Sequence, residues 1–299
     1  MNHDQQHKPQ IAKPRWLKRR LPTGPAYENV RALLSKSRLH TVCQEARCPN
    51  LWECFSRQTS TFLIMGPCCT RNCRFCNVVH GPTGPPDPGE PARVAEAAKS
   101  LKLSYVVVTS VTRDDLPDGG AGLFAKTIKE IRAIMPSTPV EVLIPDFQGN
   151  QDALQTVIEA RPDVLNHNLE TVPRLYPAVR PEADYHRSLL LLKRVKRYDT
   201  SIPTKSGLML GLGEFPGEVA KTLRDLLDAG CSILTLGQYL QPTKEHLKVE
   251  RFIPPAEFDK WKKIALAMGF AEVASGPLVR SSYHAKDLYQ TLINTEVIQ

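Results

Sequence analysis

"FLIMGPCCTRNCRFC", residues 62–76, joins a short apolar run to four cysteines. Phe62–Met65 lacks the apolar–polar alternation of a half-exposed strand. It reads instead as a strand buried on both faces, the kind found in parallel sheets. Gly66 and Pro67 end the run and open a loop. In that loop Cys69, Cys73 and Cys76 follow the spacing C-x3-C-x2-C. Three thiolates so close together can hold three irons of a cubane [4Fe–4S] cluster and leave the fourth iron open to a non-protein ligand. Phe75 stands beside the last cysteine, where an aromatic ring can shield a cluster from water. Structural zinc is the alternative. It needs a fourth ligand, for which Cys68 and His80 are candidates, although adjacent cysteines rarely reach one tetrahedral centre together.

Downstream of residue 76 the same kind of run recurs: "SYVVVTS" (104–110), "VEVLIP" (140–145), "DVLNHNLE" (163–170), "SGLMLGL" (206–212) and "SILTLG" (232–237). Amphipathic helical stretches separate them, among them "EPARVAEAAKSLKL", "AGLFAKTIKEIRAI", "YHRSLLLLKRVKRY" and "FPGEVAKTLRDLLDAG". With "FLIM" this makes six strands in strand–helix alternation, hence a parallel sheet with right-handed crossovers. The expected fold class is α/β, a partial (β/α)6 TIM-like barrel, although periodicity alone does not separate it from a short open sheet. Thr109, Ser110, Asp146, Asn168, Glu170 and Gln238 collect at the strand ends, where such folds bind ligands. Three segments are expected: an N-terminal extension over 1–58, the barrel over 59–250, and a C-terminal extension over 251–299 with a strand-like "AEVASG" and "RSSY" at 280–283.

The bulk properties narrow the setting. The chain has 299 residues, 41% hydrophobic and 23% charged, with a net charge of +8. No apolar run reaches membrane-spanning length and no apolar signal core follows Met1, so a cytoplasmic protein is expected, with no membrane association. "KPRWLKRR" (13–20) is at most a weak organellar targeting segment. Eight cysteines without a secretion signal argue for metal rather than a disulfide framework. Cys231 stands alone at the head of an apolar run and reads as a buried structural thiol. The basic charge permits nucleic acid or an acidic protein surface as partner. No nucleic-acid module signature or long basic block is present, and no nucleic acid is expected.

A second cysteine group lies upstream in "CQEARCPNLWEC": Cys43, Cys48 and Cys54, spaced C-x4-C-x5-C. These offsets do not share one helical face, so a loop wrapping around a cluster is expected. Zinc sites usually show a closer pair, such as C-x2-C. Only three thiolates are present, and a fourth ligand comes from elsewhere or is absent.

C-x3-C-x-aromatic-C at the first strand of such a chain resembles the radical S-adenosylmethionine (SAM) superfamily. The pairing of C-x4-C-x5-C with C-x3-C-x2-C and a terminal Arg-Ser-Ser-Tyr resembles one family within it, the lipoyl synthases. "CPNLWECF", "TSVTRDDLPDGGAGLF", "VEVLIPDFQG", "VLNHNLETVPRLY", "TKSGLMLGLGE" and "LTLGQYLQPT" are similar to that family as well. Two positions depart from its pattern. Pro67-Cys68 stands where Asp-Thr is common, making Cys68 an extra thiol, and Thr112 stands where acidic residues are common.

The resemblance implies a sulfurtransferase with two [4Fe–4S] clusters. Cys69, Cys73 and Cys76 would bind the cluster that cleaves SAM. Cys43, Cys48 and Cys54 would bind an auxiliary cluster, with Ser282, or else Ser281, as fourth ligand. The implied substrate is an octanoyl-lysine on a lipoyl carrier domain, sulfurated at C6 and C8 with the auxiliary cluster as sulfur donor. Carriers would be 2-oxoacid dehydrogenase E2 subunits and the glycine cleavage H protein. Electrons would come from flavodoxin or ferredoxin, and an iron–sulfur carrier would repair the auxiliary cluster. SAM contacts expected by position are Gly119, Gly120, Asn168, Glu170, Lys205, Gln238, Tyr239 and Arg280. Another SAM-dependent sulfur inserter, acting on tRNA, is the competing reading, favoured only by the basic charge.

Overall fold

The structure, a computed structural model, describes residues 12–18, 25–57 and 59–298. Most of the basic N-terminal segment considered for targeting lies outside these residues. The strands are β1 (His40–Thr41), β2 (Thr61–Ile64), β3 (Cys68–Cys69), β4 (Val79–His80), β5 (Val106–Ser110), β6 (Val140–Leu143), β7 (Val164–Asn166), β8 (Thr204–Leu210), β9 (Ile233–Gln238) and β10 (Glu272–Gly276). Helices α1 (Pro25–Lys36), α2 (Val42–Glu45) and α3 (Leu51–Ser56) belong to the N-terminal segment. Between the strands run α4 (Glu90–Ser100), α5 (Ala121–Ile134), α6 (Gln151–Glu159), α7 (Tyr176–Val179), α8 (Tyr185–Tyr198) and α9 (Pro216–Asp228). α10 (Pro255–Met268) and α11 (Ala285–Ile298) flank β10.

One sheet carries the order β1-β2-β5-β6-β7-β8-β9-β10. Every neighbouring pair from β2 to β10 is parallel, with registers such as Thr61 opposite Val107 and Ser206 opposite Leu234. The six apolar runs are therefore β2 and β5 to β9, the parallel strands of a partial barrel. Their burial explains the missing alternation: Thr61–Ile64 and Val106–Thr109 are buried residue after residue.

The helices follow local sequence signals. Asn150 caps α6 by accepting from the N–H groups of Asp152 and Ala153, and Asp184 caps α8 by accepting from that of Arg187. α8 buries Tyr185, Ser188, Leu191, Leu192 and Val195 at helical spacing and exposes Lys193 and Arg197. Burying each such leucine contributes about 2 kcal/mol. α10 stops at Gly269, whose φ of 116° lies where side-chain-bearing residues are strained.

Both extensions enter the sheet. β1 pairs antiparallel with β2 at one edge, and β10 pairs parallel with β9 at the other. The segments beyond those edges meet: Asn50 Nδ2 donates to the Leu278 carbonyl at 2.7 Å, and the Tyr283 hydroxyl donates to Glu53 Oε1 at 3.1 Å. The upstream cysteines do not lie in a bare loop, as their spacing suggested. Cys43 is in α2, Cys54 is in α3, and Cys48 sits in the turn between them. No described helix is long and apolar enough to cross a membrane.

Candidate active site

The loop after β2 is tied down along its whole length. Thr70 N–H and Oγ1 both donate to the Thr112 carbonyl at 3.0 Å. Asn72 N–H donates to Glu182 Oε2, Arg74 N–H donates to the Val179 carbonyl, and His246 Nε2 donates to the Cys76 carbonyl at 2.9 Å. Arg71, between the first two cysteines, is buried and forks onto Asp114 at 2.5 and 2.9 Å while reaching Asp146 at 2.6 Å. Arg187 Nε holds the other oxygen of Asp146 at 2.8 Å. The Arg71 guanidinium helps keep the buried Asp146 carboxyl well below the usual carboxylate range, against the opposing effect of burial.

Cys69, Cys73 and Cys76 line a cavity of about 540 Å3 at the carboxyl ends of the strands. The sulfur of Cys69 accepts from the backbone N–H groups of Arg71 at 3.4 Å and Thr112 at 3.3 Å. Position 112 thus serves through its backbone, which makes the unusual side chain there tolerable. Burial pushes the Cys76 thiol up to about 12 and the Cys73 thiol up less far, with Arg180 opposing the latter.

A second cavity, of about 210 Å3, is lined by Cys43, Cys48, Cys54 and Ser282. Cys43, Cys48, Thr61, Arg280 and Ser282 line both cavities, so they form a shared wall. Ser281 lines the larger cavity only, and its hydroxyl accepts from Asn168 Nδ2 at 2.7 Å. The loop bearing both serines passes so close to β9 that a Cβ on Gly237 would stand 2.2 Å from the Val279 carbonyl oxygen. Burial pushes the Cys43 thiol up to about 12.

Of the eight positions expected to contact SAM, Asn168, Glu170, Tyr239 and Arg280 line the larger cavity. Glu170 has a φ of 67°, and its carboxylate accepts from Asn168 Nδ2 at 2.9 Å. The Tyr239 hydroxyl donates to the Leu247 carbonyl, so the ring is held as part of the wall. The other four do not line it. Lys205 lies at the amino end of β8, 1% exposed, with Nζ on Glu141 at 2.9 and 3.1 Å. Gln238 is fully buried and spends its amide on the carbonyls of Leu210, Tyr239 and Arg251 and on the Ile253 N–H. Gly119 and Gly120 do not line the cavity. Their positive φ values let the chain turn into α5 beneath Phe147 and Met65, and a Cβ on Gly120 would stand 2.1 Å from Met65 Sδ. Cys231 is buried, and Cys68 pairs through its backbone with Val79 beside the cluster loop.

Sequence reading missed Arg180 and His167. Arg180 lines the larger cavity, anchored by Nη1 donating to the Asn168 carbonyl at 2.9 Å. His167 Nδ1 donates to the Ile144 carbonyl at 2.8 Å, and Nε2 accepts from Ser188 Oγ at 3.0 Å. No sequence spacing announces either residue, because their partners are distant in the chain.

The donor chemistry fits the groups expected here. Both triads are thiols, the soft ligands that iron–sulfur clusters take. Among the described residues no three His, Cys, Asp or Glu are arranged to hold a single metal ion. On the wall of the larger cavity, Asn168 Oδ1, Arg180 Nε and Ser110 Oγ are buried with no hydrogen-bond partner among the described residues. An acceptor, a cationic donor and a hydroxyl are what an amino acid ligand's amino and carboxylate groups require.

A partial parallel barrel with three thiols on the loop after its first parallel strand defines a radical SAM protein. Residues 63–226 match the profile of the Radical SAM superfamily. Solved structures of the HydG maturase of [FeFe]-hydrogenase and of Streptococcus suis SuiB bound to S-adenosylmethionine share the fold. Their TM-scores are 0.54 and 0.53 at 13% and 10% identity, covering 90% and 83% of this chain and 78% and 54% of theirs. Residues 1–48 match the N-terminal domain of lipoyl synthase. The lipoyl synthase of Desulfotalea psychrophila is 57% identical over 97% of both chains, and that of Rubrobacter xylanophilus 54% identical over 92% of this chain and 86% of its own. The chain belongs to the lipoyl synthase family.

Proposed function

We propose that the chain is a cytoplasmic lipoyl synthase. It inserts sulfur at C6 and C8 of an octanoyl group held in amide linkage on a lysine of a lipoyl carrier domain, giving the dihydrolipoyl group. The observation that carries this reading is the shared wall: two thiol triads lie on adjoining cavities, and Ser282 borders both. Radical formation and sulfur delivery thereby lie on the two sides of one wall.

Cys69, Cys73 and Cys76 would hold a [4Fe–4S] cluster, which with SAM and an electron from the reductant would supply the radical chemistry that takes hydrogen from C6 and then C8. The auxiliary [4Fe–4S] cluster is a substrate in this reading, since its sulfides enter the product. Cys43, Cys48, Cys54 and Ser282 hold it. A hard serine oxygen is a weaker partner for a soft iron–sulfur site than a thiolate, which suits an iron that must be released.

The chain's other residues bind and orient. Arg180 Nε faces the SAM carboxylate, while Asn168 Oδ1 and Glu170 receive its amino group. Leu63, Val111 and Met209, on the wall of the larger cavity, cover the octanoyl chain and exclude water from the radical. The N–H groups of Arg71 and Thr112 stabilise negative charge on the Cys69 sulfur. The barrel unit of 59–250 carries the SAM site, and the flanking extensions bring the auxiliary ligands to it.

The carriers are E2 subunits and the glycine cleavage H protein, with flavodoxin or ferredoxin as reductant and an iron–sulfur carrier for repair. Anaerobic incubation of the reconstituted protein with SAM, a reductant and an octanoyl-lysine peptide tests the reading. Mass spectrometry should find two added sulfurs together with 5′-deoxyadenosine. SAM turnover with an unchanged peptide would overturn it.

A further inference from the structure

The two cavities take their walls from opposite ends of β5. The larger one is walled by residues at the carboxyl ends of β5, β6 and β9, such as Ser110, Leu143 and Tyr239. The smaller one is walled by residues at and just before the amino ends of β2 and β5, namely Thr59, Ser60, Ser104 and Tyr105. Its rim reaches solvent: Thr59, Ser104 and His284 are exposed. Lys286 Nζ donates to Ser104 Oγ at 2.9 Å, a bond between residues on two sides of that rim. Neither Lys286 nor Ser104 lines the larger cavity.

Resting on the auxiliary-site reading above, we propose that the smaller cavity is a separate passage through which the iron ions and sulfide of a spent auxiliary cluster leave the site of Cys43, Cys48, Cys54 and Ser282. SAM and the octanoyl chain fill the larger cavity. A route through that cavity would require both to depart before any iron or sulfide moved. The passage lets the auxiliary site shed its ions past residues that the larger cavity does not share. Its wall suits both ions. Glu53 offers an anionic ligand to iron, and Arg57 and Lys286 offer cations to hydrosulfide. The Lys286–Ser104 bond is a latch between exposed groups, so it is weak and opens readily.

The test isolates the auxiliary site in the full-length chain carrying Cys69→Ala, Cys73→Ala and Cys76→Ala, reconstituted with iron and sulfide. Iron loss to a ferrous chelator in the presence of a reductant is followed by absorbance, as is reloading from an equal mixture of ferrous and ferric iron with sulfide. In this background Ser104→Trp should slow both rates at least fivefold and Lys286→Ala should speed them. Arg47→Trp, on the wall of the larger cavity, should change neither. Thr59→Trp gives a second obstruction of the passage should the Ser104 variant fold poorly. If Arg47→Trp slows exchange while Ser104→Trp and Thr59→Trp do not, the passage is overturned. A background chain that binds no iron overturns the auxiliary-site reading itself, and the proposal with it.

Discussion

Asn168 and Ser281 are joined side chain to side chain at 2.7 Å, although 113 positions separate them. The bond fixes Ser281 on the wall of the larger cavity, whereas Ser282 also lines the smaller one with the three upstream cysteines. The neighbours therefore divide their work. Ser282→Ala should alter the Mössbauer spectrum of the auxiliary cluster. Ser281→Ala should leave that spectrum intact and weaken SAM binding severalfold by releasing Asn168. The reverse pattern would reassign the ligand to Ser281.

Arg71 neutralises two carboxylates at once, and Asp146 is wholly buried. Removing the guanidinium leaves that charge without its closest partner. Arg71→Met should cost about 3–5 kcal/mol of stability, read from urea midpoints of the apo-protein. Arg71→Lys keeps the charge and loses the fork, so it should recover less than half of the loss. Full recovery by lysine would show that charge alone matters at this position.

Lys205 and Glu141 form a buried pair at the amino end of the sheet, where Glu141 also accepts from Tyr105 and Asn166. Lys205→Met should destabilise by about 3–5 kcal/mol, and Lys205→Met with Glu141→Gln by much less, because the second change removes the stranded charge. SAM affinity of the folded fraction should not change in either variant. A large rise in the SAM Kd for Lys205→Met would return Lys205 to the binding site.

Burial pushes His167 down from 6.5 to about 4. The unfolded chain therefore takes up this proton first as pH falls. The contribution is constant above about pH 6.5, declines through the window from about 6.5 to 4, and levels off below it. The loss amounts to about 3 kcal/mol. His167→Gln should flatten the dependence of the urea midpoint on pH within that window. An unchanged slope would mean that the ring is protonated in the fold.

The parallel core was legible because strands buried on both faces leave a composition signature: "SYVVVTS" and "SILTLG" are apolar without alternation, and both became central strands. The cysteine groups were legible because ligand spacing is local. Residues whose roles depend on distant partners were not. A lysine near a strand looks the same in sequence whether it meets a ligand or Glu141. Gln238 sits at a strand end where ligands bind, yet its amide is consumed by three carbonyls. Arg180 had no marker, since its place depends on how the α7 turn folds back over the loop after β7. His40 and Thr41 follow a helical stretch in sequence but pair with β2, an outcome set by the open edge of the sheet.

The joining of both extensions around one pocket also sets a timetable. Synthesis proceeds from Cys43 toward Ser282, and at ordinary translation rates the serine emerges roughly 10–50 s after Cys54. For the last roughly 2–9 s of that interval, once residue 238 has been added, the six strands β2 and β5 to β9 and all three cysteines of the loop after β2 already exist on the ribosome. On the proposed reading the auxiliary ligand set is completed last, so a nascent chain is equipped to make radicals before it has the means to use them on sulfur. Cluster insertion is safest after release, when the segment from 280 to 283 has docked against Gly237 and the upstream helices.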